Sequence, residues 1–169
     1  KKLTGCLERY NVTPQLIELE ITETSLLEDP EAGIQKLEQL KSAGFGIAID
    51  DFGTGYSSMQ YLTSIPFDKL KVDRVFVTDL ANNPKNQAII TMLARMAQTL
   101  NFTLLAEGAE TETEACLLQD IGCHMIQGYY YAKPVTAEQV EGFIAKTVNS
   151  DQIQKSPLNS ELSQARVSH

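Results

Sequence analysis

The chain lacks the features expected of a membrane, secreted or nucleic-acid-binding protein. It has no tryptophan, no apolar run near the roughly 18 residues of a membrane span, and no apolar segment close behind Lys1 that would suggest a secretory signal. Its three cysteines form no metal-ligand spacing and leave one unpaired, which fits a reducing cytoplasm. The net charge of −8 argues against a nucleic-acid polymer or direct membrane contact. A small anionic ligand would need a metal ion to bridge it to so acidic a protein.

What the sequence does contain is an alternation of short apolar runs and amphipathic stretches. This pattern predicts repeated βα units and a parallel sheet. The predicted strands are residues 16–21, 45–50, 69–73, 103–107 and 125–127. Four helices are predicted from residues that typically begin or end a helix. The first begins at Pro30 and ends before Gly44, and the second begins at Asn83–Pro84. The third begins at Thr111 with Glu114 and ends at Gly122, and the fourth begins at Thr136 with Gln139.

The number of predicted strands is too small for a complete barrel. A TIM barrel has eight strands in about 250 residues, whereas this chain offers five runs, or six if a strand forms near Tyr130. We therefore predict an incomplete TIM-barrel-like α/β domain over residues 1–148, lacking about the first two strands. Residues 149–169 are polar and without periodicity, so a disordered tail is predicted there. An open sheet edge would favour a homodimer or other self-association, or make the isolated chain unstable.

Polar side chains stand at or beside the carboxyl end of every predicted strand. They are Glu20, Asp50, Asp51, Lys71, Asp73, Glu107 and Gln127. In a parallel barrel these ends converge on the face that carries the active site. Converging carboxylates repel one another unless a cation joins them, and their oxygens suit Mg²⁺, Mn²⁺ or Ca²⁺. Two such ions can activate water and stabilise a phosphodiester displacement, and Lys71 would add positive charge near the nucleophile or the phosphate.

Each of these residues also has an ordinary structural explanation. Glu20 could be a solvated strand-end carboxylate, and Asp50–Asp51 could be turn formers. Lys71 and Asp73 could form a structural ion pair. The tyrosines at 129–131 could stack on a base, although packing is their more common role. What a structural role explains poorly is the recurrence of such residues at successive strand ends.

Five ordered blocks between residues 16 and 134 carry a family resemblance. They are residues 18–23 (ELEITE), 50–58 (DDFGTGYSS), 71–74 (KVDR), 106–111 (AEGAET) and 127–129 (QGY), with Gly122, Cys123, Lys133 and Pro134 matching between and beyond the last two. Together they resemble the EAL domain family of bacterial signalling proteins, the cyclic-di-GMP phosphodiesterases. The resemblance implies a TIM-barrel-like fold and hydrolysis of cyclic-di-GMP to pGpG with Mg²⁺ or Mn²⁺.

The resemblance also implies a role for each matching residue. The implied metal ligands are Glu20, Asp50, Asp51 and Glu107, with Asp73 serving the second metal site. The implied catalytic residues are Lys71, Gln127, Glu107 and Glu23. Lys71 and Gln127 would lie near the attacking water, and Glu23 would brace the loop after Asp51. Glu110 and Tyr129 are the implied substrate-binding residues.

Two features of the family pattern are absent from the sequence. The Glu-Ala-Leu motif, whose glutamate supplies a metal ligand, does not occur, and neither does the asparagine that ends the family's second strand. His124 stands where the family usually has Asp or Asn. We therefore expect a truncated domain that is inactive alone. Two alternatives remain: a non-catalytic module that binds cyclic-di-GMP or a protein partner, and another metal-dependent barrel enzyme, such as a lyase with Lys71 as base.

Overall fold

The computed structural model describes residues 2–27, 30–53 and 62–142, and the chain divides into two units, Lys1–Ala132 and Lys133–His169. In the second unit, residues 137–142 are helical, and Gln139 Oε1 accepts a hydrogen bond from the Thr136 amide at 3.0 Å, as the cap prediction requires. The predicted tail at 149–169 lies outside the described residues, and the boundary at residue 148 stays a prediction. Within the described residues, no helix has the length and apolarity needed to cross a membrane.

Helices and strands alternate through the first unit. The elements are α1 (Lys2–Tyr10), β1 (Glu18–Thr22), α2 (Glu23–Leu27), α3 (Pro30–Ser42), β2 (Gly46–Phe52), β3 (Lys69–Val72), α4 (Arg74–Val77), α5 (Pro84–Leu100), β4 (Thr103–Glu107), α6 (Glu112–Ile121) and β5 (Met125–Gln127). All five predicted strands are confirmed, with small shifts at the ends of the first three. Residues 128–131 form a bend and a turn, so the prediction of a possible sixth strand near Tyr130 was wrong.

The five strands form one parallel sheet in the order β1-β2-β3-β4-β5. Strands that are neighbours in both sequence and space, with helices between β1 and β2, β3 and β4, and β4 and β5, are the arrangement of a barrel wall, whereas a doubly wound sheet reverses its strand order. In the described part of the chain β1 and β5 do not pair, so the sheet is not closed. The predicted incomplete TIM-barrel-like fold is confirmed.

The two faces of the sheet differ in chemistry because side chains alternate along each strand. One face is apolar and packs against the helices, with Ile49, Leu70 and Leu104 in a core that includes Leu93 of α5 and Leu118 of α6. The register places the charged residues together on the opposite face, which corresponds to the interior of a barrel. That face carries Glu18, Glu20, Asp50, Lys69, Lys71, Glu107 and Gln127.

The predicted helix boundaries are confirmed where the structure describes them. Asn83 caps α5 by accepting a hydrogen bond from the Asn86 amide, and Thr111 with Glu114 forms a complete capping box at α6. Gly122 ends α6 with a φ of +99°, a conformation that costs glycine little.

Asp68 joins three strands and a helix at the amino-terminal edge of the sheet. Its carboxylate accepts hydrogen bonds from the Ile47 amide at 2.8 Å and from Lys41 Nζ of α3. Its carbonyl oxygen accepts one from the Thr103 amide at 2.8 Å. Burial alone would raise the pKa of Asp68, but the hydrogen bonds from Lys41 and Ile47 outweigh it and lower the pKa.

Asp68→Asn should therefore remove part of the acid sensitivity of folding. Because the pKa of Asp68 is lower in the folded state, its stabilising contribution is present above the unfolded pKa of about 3.9 and is lost as pH falls through the folded value. Urea unfolding of both proteins between about pH 6 and pH 3 should show their stability difference shrinking as the pH falls. A difference that stays constant would contradict this assignment.

Candidate active site

Lys71 lies at the meeting point of three strand-end carboxylates. Its Nζ is 2.8 Å from Glu20 Oε1, 3.0 Å from Asp50 Oδ1 and 3.0 Å from Glu107 Oε1. These four residues come from β1, β2, β3 and β4, so the cluster spans most of the sheet. The Lys71 side chain is only 8% exposed, whereas that of Glu20 is 49% exposed. Burial alone would lower the pKa of Lys71, but the hydrogen bonds to the three carboxylates raise it, so the side chain stays a cation.

The donor chemistry of this cluster fits a divalent metal ion. Three carboxylates converge on a single cationic point, and carboxylate oxygens are the ligands that Mg²⁺, Mn²⁺ and Ca²⁺ prefer. The convergence point itself is held by the Lys71 ammonium group. Among the described residues, no group of three acidic, histidine or cysteine side chains is arranged to hold a metal ion. Metal binding would therefore require the carboxylates to shift away from Lys71.

A bulge in β2 sets the position of the two consecutive aspartates. Ile49 pairs with Leu70 and Phe52 with Val72, so Asp50 and Asp51 share the space opposite one residue of β3. Asp51 has a φ of +54°, and its amide donates to Asp50 Oδ1 at 3.0 Å. A regular strand would send the two side chains to opposite faces, and the bulge removes this strict alternation.

Glu23 supports the backbone that follows the two aspartates. Its side chain is 2% exposed, and its Oε2 accepts a hydrogen bond from the Gly53 amide at 2.8 Å. Gly53 has a φ of +96°, and a Cβ at this position would overlap the ring of Phe76. Glu23 thus holds the first residue after β2. Residues 54–61 lie outside the described part of the chain.

A cavity of about 220 Å³ opens beside the cluster, at the carboxyl ends of β3, β4 and β5. Five residues selected from the sequence lie in its lining: Asp73, Glu107, Glu110, Gln127 and Tyr129. Asp73 also caps α4, because its Oδ1 accepts a hydrogen bond from the Val75 amide at 2.8 Å. The structure therefore brings together the residues predicted for the second metal site, the water and the substrate.

Arg74 also lines this cavity and was not selected from the sequence. It directly follows the strand-end Asp73, and a basic residue at that position is the signal that could have identified it. A guanidinium group in this wall could pair with a phosphate. His124, by contrast, is exposed and precedes β5, at the opposite end of the sheet from the cluster.

The loops that follow β4 and β5 are in direct contact through their backbones. The Ala109 amide donates to the Gln127 carbonyl at 3.2 Å, and the Ala109 carbonyl accepts from the Tyr130 amide at 3.0 Å. A Cβ on Gly128 would lie closer than 3.0 Å to the backbone of Ala109. This backbone contact sets the relative position of Glu107, Gln127 and Tyr129 around the cavity.

The sheet is parallel, its apolar face packs against helices, and a charged cluster and a cavity lie at the carboxyl ends of its strands. These features define the class of α/β-barrel proteins whose active site lies at that end of the sheet. The chain belongs to the EAL domain family, since the family model matches residues 1–134.

Relatives and solved structures agree with this assignment. The chain is 41% identical over 141 residues to MucR of Pseudomonas aeruginosa, a bifunctional diguanylate cyclase/cyclic di-GMP phosphodiesterase, covering 83% of the chain and 21% of MucR. It is similar to the solved PaMucR phosphodiesterase–c-di-GMP complex, with a TM-score of 0.77 at 41% identity, over 81% of this chain and 56% of that one. The manganese/cy-diGMP complex of Klebsiella pneumoniae BlrP1 gives a TM-score of 0.72 at 37% identity, over 76% and 33% of the two chains. The chain thus spans about a fifth of the length of MucR.

Proposed function

We propose that this chain carries part of a metal-dependent phosphodiesterase site that hydrolyses cyclic-di-GMP to pGpG. The observation that carries the proposal is the convergence of Glu20, Asp50 and Glu107 on Lys71 within 3.0 Å. That cluster lies beside a cavity lined by further acidic and polar residues, in a chain similar to a phosphodiesterase solved with c-di-GMP.

In this proposal Glu20, Asp50, Asp51 and Glu107 hold Mg²⁺ or Mn²⁺, and Asp73 serves a second ion. The BlrP1 complex with manganese supports a divalent ion. Bound ions would lower the pKa of a coordinated water and stabilise charge on the phosphodiester oxygens.

The remaining residues act on the water and the nucleotide. Lys71 and Gln127 hold the attacking water. Glu23 keeps the backbone after Asp51 in place. Glu110 and Tyr129 lie in the cavity lining, where a carboxylate can accept hydrogen bonds from a guanine edge and a ring can stack on a base.

The absence of a Glu-Ala-Leu segment from this sequence limits what the chain should do by itself. One carboxylate ligand of the family site is missing, so we propose weak metal binding and negligible turnover by the isolated chain. A cytoplasmic location and self-association through the sheet edge belong to the same proposal. A second candidate function is a non-catalytic module that binds cyclic-di-GMP, and the Lys71 ammonium group at the point where the three carboxylates converge favours it.

Cyclic-di-GMP binding by the isolated chain tests the proposed site. Titration calorimetry should detect binding in Ca²⁺, the ion in one solved complex of BlrP1 with the nucleotide, and chelation with EDTA should weaken that binding at least about tenfold. Asp50→Asn should weaken it similarly, whereas Asp68→Asn, the same substitution at the other end of the sheet, should leave it unchanged. If neither EDTA nor Asp50→Asn changes the affinity, the result would favour the non-catalytic module. An absence of binding would contradict both functions.

A further inference from the structure

Glu114 makes more hydrogen bonds than a helix cap requires. It lies in the first turn of α6, yet it is only 8% exposed. A capping box needs one bond to the Thr111 amide, which Glu114 Oε2 accepts at 3.0 Å. The same oxygen also accepts from the Glu110 amide at 3.0 Å, and Oε1 accepts from the Asp79 amide at 3.1 Å. Burial alone would raise the pKa of Glu114, but the bond from the Glu110 amide, the bond from the Thr111 side chain and those from the Thr111 and Asp79 amides lower it, so the side chain is an anion at neutral pH.

The two oxygens of Glu114 hold two separate walls of the cavity beside the Lys71 cluster. Oε2 binds the loop after β4, from which Glu110 lines the cavity next to Glu107, the last residue of the strand. Oε1 binds Asp79, just beyond the single turn of α4. The other end of that turn supplies Asp73 and Arg74 to the lining of the same cavity, where Arg74 packs against Gly108 of the loop after β4.

The backbone at Asp79 is held by this bond together with two hydrogen bonds from Asn82. Asp79 has a φ of +55°, in the left-handed region that a residue with a side chain seldom adopts. The turn before it is closed by a hydrogen bond of 2.8 Å from the Thr78 amide to the Arg74 carbonyl. Leu80, the next residue, is fully buried. A shift at Asp79 would therefore be passed directly to Arg74 rather than absorbed by a flexible segment.

We infer that Glu114 is a positioning residue for the ligand cavity. It fixes the segment that carries Arg74, which forms one wall, relative to the loop that carries Glu110, which forms the other. The inference rests on the proposed function in that the ligand of this cavity is taken to be cyclic-di-GMP. Glu114 itself does not line the cavity, so it acts through the two backbone segments that it holds.

Two substitutions separate this role from ordinary helix capping. In Glu114→Gln only one side-chain atom can still accept hydrogen bonds, and the amide nitrogen must face a backbone N–H. The variant can therefore hold one wall but not both. Thr111→Val removes the hydroxyl, which caps the Glu114 amide and also bonds the Glu114 carboxylate, but it leaves both Glu114 oxygens and their three backbone N–H donors in place. The valine variant loses the cap, and the glutamine variant loses the link between the walls.

Amide hydrogen exchange of the ligand-free chain tests the link directly. In Glu114→Gln, exchange should rise by about tenfold or more at Asp79 or at Glu110 and Thr111, since one of these bonds is lost. Thr111→Val should leave Asp79 unchanged. If Glu114→Gln alters none of these amides, the inference is overturned.

Affinity for cyclic-di-GMP in Ca²⁺ then tests the positioning role. We expect Glu114→Gln to weaken binding by about tenfold, and Thr111→Val to change it less than about twofold even if it lowers the unfolding temperature as much. If both variants lose affinity for cyclic-di-GMP in proportion to their lost stability, Glu114 acts only as a helix cap and the positioning role is wrong. If the wild-type chain binds no cyclic-di-GMP, the proposed function fails, while the exchange rates still decide whether Glu114 joins the two walls.

Discussion

Lys71→Met is expected to lower the unfolding free energy of the metal-free chain by about 3 kcal/mol at neutral pH. Lys71 is buried, and its ammonium group lies within 3.0 Å of Glu20, Asp50 and Glu107. Removing the cation leaves three carboxylates facing one another. The expected loss is at the lower end of the range for a broken buried pair because Glu20 is half exposed and partly screened by water. Urea unfolding in EDTA measures it.

Mn²⁺ should recover part of that lost stability, because a divalent ion can neutralise the same three carboxylates. Lys69→Met is the matched control, since Lys69 pairs with one carboxylate, Glu18, at 2.7 Å on the same face. We expect it to cost no more than about 1 kcal/mol, with no response to Mn²⁺. Equal losses in the two variants would show that the Lys71 cluster has no special electrostatic role.

Gly128→Ala should destabilise the first unit by about 3 kcal/mol or more and abolish ligand binding. The added Cβ would lie closer than 3.0 Å to the carbonyl oxygen and the amide nitrogen of Ala109. Ala109 cannot move aside cheaply, because its amide binds Gln127 and its carbonyl binds Tyr130. The loops after β4 and β5 would have to separate, and the cavity between them would change shape.

Gly5→Ala is the control for the removal of a glycine. Gly5 lies in α1, and a Cβ there would meet no atom within 4 Å. Alanine in a helix is favoured over glycine, so this variant should gain about 0.5–1 kcal/mol. Thermal unfolding of both variants gives the comparison. A Gly128→Ala protein as stable as the wild type would contradict the close backbone contact.

The sequence predicts well those features that depend on local pattern. β4 and β5 match their predicted residues because each is a short apolar run with clear ends. α2 and α4 were missed, since helices of five and four residues are too short to show a helical period. Placing the acidic residues and Lys71 at one end of the sheet followed from the parallel topology alone.

The details of the site depend on long-range contacts that no local pattern shows. The bulge at Asp50–Asp51 exists only relative to the register with β3. The capping role of Glu114 was predicted, but its bond to Asp79 joins residues 35 positions apart. Arg74 enters the cavity because a single helical turn begins at that residue. In each case the side chain was visible in the sequence, and its partner was not.

Hydrolysis of cyclic-di-GMP by a completed barrel tests the central claim most directly. A hybrid in which the matching upstream part of the MucR domain, with its Glu-Ala-Leu segment, precedes Lys1 would supply the missing carboxylate ligand. In Mn²⁺ we expect this hybrid to convert cyclic-di-GMP to pGpG, and Lys71→Met in the hybrid to reduce turnover by at least about a hundredfold. A folded hybrid that binds Mn²⁺ and cyclic-di-GMP but leaves the nucleotide uncleaved would contradict the phosphodiesterase assignment.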